Sequence, residues 1–213
     1  MNTLTPTLTL VVDRRLYRTI SDKEPLSLVE AAIAGGVTQV QLRSTPKDSE
    51  SDLGLFAIAL RIREMTDGIV PFVVTGDLEL AEKCYADGVL LTEKSYRPEA
   101  ARRYLRGPQP LVGCYVQSVT GASRAERGGA DYVQVGPIFG EKNGVSETGD
   151  LNLIRKVKDA ILLPVVAFGG INSRDRATAA INAGADGVAV TSAILAAKHP
   201  KSAAEEFRSL LTN

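Results

Sequence analysis

The sequence predicts an α/β protein, a single (β/α)8 barrel with residues 1–213 forming one domain. Three observations lead there. One phrase is written four times: "GGVTQVQLRS" from Gly35, "YADGVLLTEK" from Tyr85, "GGADYVQVGP" from Gly128 and "AGADGVAVTS" from Ala183. Each time a small or turn-forming residue ends an alanine-rich helical pattern and a Val/Leu-rich run follows, which reads as a helix stop feeding a strand. The strand runs also show little polar alternation, as expected of parallel strands covered on both faces. Finally, the first strand ends in "VVDRRLYR" without a glycine, so the G-x-G-x-x-G opening of an open nucleotide-binding sheet is missing.

The elements follow in order. Strand runs begin near Leu8, Pro71, Leu111 and Pro164, and the four repeated phrases supply the strands between them, giving about eight β/α units. The stretches "DLGLFAIALRIREM", "DLNLIRKVKDAI" and "RDRATAAINAG" carry apolar residues at three- and four-residue spacings, the pattern of helices laid over a sheet. No Pro/Ser/Gly linker or low-complexity segment divides the chain. The only histidine, His199, stands before a proline in "AAKHPKS", at an exposed end of the eighth helix.

Composition narrows the function. The 25 basic and 25 acidic side chains balance, which disfavours a nucleic-acid partner or an anionic membrane surface. The start "MNTLTPTLTLVV" has no basic n-region, and no run of apolar residues is long enough to span a bilayer, so a cytoplasmic, soluble protein is expected. Cys84 and Cys114 are too few for a disulfide framework and lack metal-ligand spacing; they read as reduced core residues.

In a barrel of this kind the site lies at the C-terminal strand ends, and the last two β/α loops commonly bind phosphate. The seventh strand ends in "PVVAFGGIN" and the eighth in "AVTSAI". Gly169 and Gly170 would let backbone N–H groups approach an anion, and Thr191 and Ser192 would open the next helix with further donors. The expected ligand is a small phosphate ester. A tight turn is the alternative reason for the glycine pair.

These residues, with "GADYVQVGPIF" and "QVQLRS", make the chain resemble the thiamin phosphate synthase and TenI family, from "LVVDRR" to "ADGVAVTSAI". The resemblance implies a barrel in which a synthase joins a pyrimidine diphosphate to a thiazole phosphate and releases pyrophosphate with Mg2+. The TenI branch includes thiazole tautomerases. Carried onto this chain, the thiazole-phosphate site falls on Gly169, Gly170, Thr191 and Ser192, with Gly136 in "GPIF". Gln41 and Arg43 match part of the family's Q-x-R-x-K motif. Under a synthase reading, Arg43 and Lys142 would neutralise the departing pyrophosphate, while Gln117 could orient a ligand. A homo-oligomer is left open.

The match breaks on the pyrophosphate side. The lysine of Q-x-R-x-K falls on Thr45, the Asn-Asp pair on Thr75 and Gly76, and the next Asp on Ser95. Mg2+ is usually held by one or two carboxylates together with substrate phosphates, so the metal ligands stay unassigned, with Asp77 and Glu93 the nearest substitutes. The family's G-x-S-x-H reads Tyr115 and Gln117 here, and glutamine cannot shuttle a proton near neutrality. The loop after the sixth strand lacks the T-x-T-K spacing but offers Glu141, Lys142 and Glu147. Asp13 and Arg14 match the family's "TDR" turn; they face the mouth or form a structural ion pair. Two alternatives to a synthase remain: a non-catalytic phosphate-ligand-binding or regulatory protein, and a barrel enzyme for another phosphorylated metabolite.

Overall fold

The computed structural model describes residues 7–13, 25–43, 53–92, 97–142, 145–146 and 150–211, and every structural statement concerns those residues. The expectations for Arg14, Thr45, Glu93, Ser95 and Glu147 fall outside them. The barrel strands are β1 (Leu8–Asp13), β2 (Gln39–Arg43), β3 (Phe72–Thr75), β4 (Gly88–Leu91), β5 (Leu111–Val116), β6 (Tyr132–Val135), β9 (Val165–Phe168) and β10 (Gly187–Val190). They close in the order β1-β10-β9-β6-β5-β4-β3-β2, all neighbours parallel, as a (β/α)8 barrel. A short antiparallel ribbon, β7 (Glu141–Lys142) and β8 (Val145–Ser146), rises from the loop after β6. The helices are α1 (Pro25–Ala34), α2 (Leu53–Thr66), α3 (Leu78–Lys83), α4 (Pro98–Tyr104), α5 (Val119–Arg127), α6 (Leu151–Ala160), α7 (Arg174–Asn182), α8 (Ser192–Leu195) and α9 (Pro200–Ser209). Among the described residues, no helix is long and apolar enough to cross a membrane.

The repeated phrase has a structural meaning beyond a helix stop. After α3, α5 and α7 the chain passes through Tyr85, Gly129 or Gly184, each at positive φ (55°, 81° and 103°), then Ala and Asp. In each turn the Ala N–H reaches back into the helix, to Ala81, Ala125 or Ala180, which closes the C-terminal cap. The Asp carboxylate then accepts an N–H from the first or second residue of the preceding strand: Asp87 from Phe72 at 2.8 Å, Asp131 from Val112 at 2.7 Å and Asp186 from Val165 at 2.7 Å. Each is also paired with a cation from a helix: Arg63, Arg102 and Lys158 respectively. These braces tie the N-terminal end of the barrel, where this fold places its stabilising contacts, and leave the opposite end for chemistry.

The barrel interior departs from the expectation of uniformly apolar strands. Strand pleating sends Thr9, Gln39, Gln41 and Gln134 inward beside Val11, Leu90, Tyr132, Val166 and Ala189. Tyr132 is the largest of these, and Gly113 makes room for it, since a Cβ there would sit 2.3 Å from the ring. Both cysteines are buried as expected, and burial pushes each thiol up to about 11. His199 is exposed, but it caps the start of α9 and does not close a long eighth helix. The helical stretch there is broken in two because Pro200 can open a helix and not continue one.

Candidate functional site

Parallel register brings the C-terminal strand ends to one mouth. Asp13, Arg43 and Thr75 stand side by side on β1, β2 and β3. Arg43 Nη1 lies 3.9 Å from Asp13 Oδ2, with the arginine side chain 48% exposed. So Asp13 is both at the mouth and a partner of Arg43, and a pair this long and wet holds Arg43 only loosely. One inward layer below, the Gln41 amide donates to the Thr75 hydroxyl at 2.8 Å, and its own Oε1 is buried with no hydrogen-bond partner. Gln134 Oε1 and Gln39 Nε2 are likewise buried and unpartnered. Buried amide atoms are almost always paired, so the two oxygens mark places where a water or a ligand donor completes the interior, and Gln39 Nε2 marks one for an acceptor.

Across the mouth, β5 supplies Tyr115. Its hydroxyl donates to the Gly136 carbonyl at 2.6 Å, and its ring meets Phe168 edge-on, with centroids 6.1 Å apart. The residue standing in the family's serine position is therefore a wall of the mouth and a tether for the loop after β6. Gln117 is exposed just past β5. Lys142 falls on the ribbon beyond β6; the expectation for its side chain lies outside what is described.

The two glycines of β9's end owe their identity to something other than a ligand. A Cβ on Gly170 would lie 2.2 Å from the Phe139 carbonyl oxygen, one on Gly169 would lie 2.7 Å from Pro137 Cα, and one on Gly136 would lie 2.2 Å from the Phe168 carbonyl oxygen. Both glycines of the pair also sit at positive φ, 98° and 64°. The loop after β6 lies directly across the end of β9 and excludes any side chain. What points to an anion is the direction of the N–H groups. The Ile138 N–H donates to the Phe168 carbonyl at 2.8 Å and the Phe139 N–H to the Gly169 carbonyl at 3.0 Å. In a planar trans peptide the N–H opposes the C=O, so the Gly169 and Gly170 N–H groups point away from this loop. Among the described residues, no backbone carbonyl accepts either of them. Register sets Ala189 beside Phe168, which places Thr191 and Ser192 next to the glycines. Ser192 opens α8; among the described residues its N–H and that of Ala193 also lack a backbone acceptor, and the Thr191 side chain makes no capping bond. Gly170 and Ser192 are exposed to solvent.

The sequence profile of the family described as thiamine monophosphate synthase matches residues 8–194. This chain belongs to that family. It is 42% identical over 181 residues to the thiamine-phosphate synthase of Natronomonas pharaonis, covering 83% of this chain and 82% of that one. It is 38% identical over 199 residues to the thiamine biosynthesis bifunctional protein ThiED of Geobacter sulfurreducens, and there spans 40% of the longer protein's length. Among solved structures, the thiamine phosphate pyrophosphorylase of Pyrococcus furiosus superposes with a TM-score of 0.80 at 30% identity, covering 98% of this chain and 96% of that one.

Within this family's frame, the structure gathers Gln41, Arg43, Gly136, Gly169, Gly170, Thr191 and Ser192 around one end of one barrel. Sequence reasoning passed over Tyr115 as a tether, Phe139 and Arg176. Arg176 gave no local signal, because "NSRDR" reads as an ordinary charged helix start. The magnesium side is a poor fit. Thr75 offers a hydroxyl already bonded to Gln41, Gly76 offers no side chain, and Asp77 caps α3 by accepting the Leu80 N–H at 2.9 Å. Among the described residues, no group of three or more His, Cys, Asp or Glu side chains converges on a point that could hold a metal ion.

Proposed function

We propose that this chain acts in thiamin biosynthesis by binding a thiazole-phosphate-type ester at the C-terminal mouth of its barrel. The observation that carries the reading is the pair of Gly169 and Gly170 N–H groups turned away from the loop after β6, beside the donors of Thr191, Ser192 and Ala193. Convergent backbone N–H groups bind phosphate oxygens without needing a titrating side chain. With the phosphate held there, the ring of the ligand would rest toward Tyr115 and Phe168, and Gln41 and Gln134 would offer unpaired amide oxygens to its polar edge.

The reaction implied by family membership is substitution at carbon. The thiazole nitrogen would supply the electron pair for a new C–N bond to the pyrimidine methylene, and the C–O bond to pyrophosphate would break, with its electrons leaving on the pyrophosphate oxygen. This chain's contribution would be positioning of the nucleophile through its phosphate and electrostatic attraction of the leaving group by Arg43. Mg2+ would ordinarily neutralise that leaving group, but the described donor set does not suit it, so no step is assigned to a metal here.

A non-catalytic ligand-binding role is the second reading, favoured by the use of Asp77 as a helix cap and by glutamine at position 117. One experiment separates the two. Purified protein is mixed with the pyrimidine diphosphate, thiazole phosphate and Mg2+ while thiamin phosphate is followed, and thiazole phosphate affinity is measured in parallel. Tight binding with little turnover supports the second reading, and robust turnover supports the first. A folded Gly170→Asp variant that binds thiazole phosphate as well as the parent would remove the site itself, since the change adds bulk and negative charge to the cradle.

A further inference from the structure

Arg176, in the first turn of α7, is placed by Ser173, whose hydroxyl accepts the Arg176 N–H at 3.3 Å as the helix cap. Its guanidinium does two things on the same side of the β9 loop. Nη1 donates to the Gly170 carbonyl at 2.6 Å, and the guanidinium carbon lies 5.0 Å from the centroid of the Phe139 ring. Phe139 belongs to the loop whose N–H groups already hold the Phe168 and Gly169 carbonyls. Three successive carbonyls, of Phe168, Gly169 and Gly170, are therefore all held by groups belonging to or stacked on that one loop.

From this geometry we infer that Arg176 is the positioning residue that turns a third N–H, that of Ile171, into the phosphate cradle. The Gly170 carbonyl and the Ile171 N–H belong to one planar trans peptide, so fixing the first fixes the second in the opposite direction. Among the described residues, no backbone carbonyl accepts the Ile171 N–H. A cation on the carbonyl also polarises the peptide and strengthens its N–H as a donor to an anion. Gly170 carries no Cβ, so rotation about its Cα–C bond would otherwise turn this peptide at little cost. The cation–π contact to Phe139 locks Arg176 itself, so loop, arginine and cradle move as one unit. The ligand class is a tetrahedral phosphate monoester, whose oxygens match three adjacent N–H donors.

This inference rests on the phosphate-cradle reading, and the test keeps the two apart. Inorganic phosphate and thiazole phosphate are titrated into uniformly ¹⁵N-labelled parent protein, Arg176→Met and Arg176→Lys. Methionine keeps packing on Phe139 without a donor; lysine keeps the charge and a donor group but loses the planar guanidinium. Expected for the parent is movement of the Gly169, Gly170 and Ile171 amide signals together. In Arg176→Met the Ile171 response should be lost while Gly169 and Gly170 still respond, with affinity about tenfold weaker, the usual scale for one hydrogen bond to a charged group. Arg176→Lys should recover part of both. Melting temperatures guard against a general loss of structure: an unfolded Arg176→Met leaves the decision to Arg176→Gln, which removes the charge, and an unaltered Ile171 response with unaltered affinity in that variant would overturn the inference. In a folded Arg176→Met, parent-like affinity and an intact Ile171 response would do the same. Absence of any response in the parent would overturn the cradle reading and this inference with it.

Discussion

Replacing Gly170 by alanine separates the two reasons the position demands glycine. Its φ of 64° lies in the left-handed region, where a side chain costs about 1–2 kcal/mol. The added Cβ would also start 2.2 Å from the Phe139 carbonyl oxygen and 2.8 Å from Phe139 Cβ, against backbone that cannot swing aside like a flexible side chain. Overpacking of this kind typically costs about 1–3 kcal/mol more. The expected loss is thus about 2–5 kcal/mol, which a domain of ordinary stability survives. Gly129→Ala is the control: its φ is 81°, and a Cβ there meets nothing within 4 Å. Urea denaturation of both variants should show Gly129→Ala losing only the backbone cost and Gly170→Ala losing that plus the clash. Relief of the clash requires the loop after β6 to lift, which releases the Phe168 and Gly169 carbonyls and lets the N–H groups of residues 169 and 170 drift, so thiazole phosphate affinity should fall about tenfold or more in Gly170→Ala alone, as for loss of one or two hydrogen bonds to a charged group. Equal stabilities for the two variants, with unchanged ligand affinity, would refute the claim that this loop sets the cradle.

Three further outcomes are expected. Asp186→Ala leaves the N–H of fully buried Val165 without its side-chain acceptor and should cost about 1–3 kcal/mol in urea titrations; a loss below about 0.5 kcal/mol would show that the brace is dispensable. Tyr85, exposed and at φ of 55°, occupies the place that Gly129 and Gly184 fill in the sister turns. Tyr85→Gly relieves a left-handed cost that exceeds glycine's extra unfolded freedom, so stability should rise by about 0.5–1 kcal/mol and the melting temperature by a few degrees, whereas a lower melting point would contradict this. Burial raises the Cys84 and Cys114 thiols to about 11 in the folded protein, above their ordinary value of 9.0. The folded state therefore keeps protons that the unfolded state gives up: their contribution is intact below pH 9 and declines as the pH rises toward 11. Thiol alkylation of native protein at pH 8 should be slow, and rapid labelling would show that the thiols are open to solvent.

Local chemistry determined much of this protein. The helix-stop phrases at Gly35, Tyr85, Gly128 and Ala183 lie in the sequence because caps and strand propensities act over a few residues, and with the strand runs near Leu8, Pro71, Leu111 and Pro164 they mark about eight β/α units. The strand-end residues Arg43, Gly170, Thr191 and Ser192 were legible for the same reason: a strand's end fixes where its last side chains go. The tertiary structure decided what those residues meet. Closure brings β9 beside β6, and only then does the Phe139 carbonyl become the neighbour that forbids a Cβ on Gly170. Closure also lets Tyr115 reach the Gly136 carbonyl and turns Thr9, Gln39, Gln41 and Gln134 into a buried polar interior. Arg176 shows the limit most clearly, since its grip on Gly170 begins inside one loop and its second contact, with the Phe139 ring, depends on a loop from another strand. Periodicity reports which face of an element is apolar; the partner across a shared mouth is set by strand order and register, which no local stretch of the chain contains.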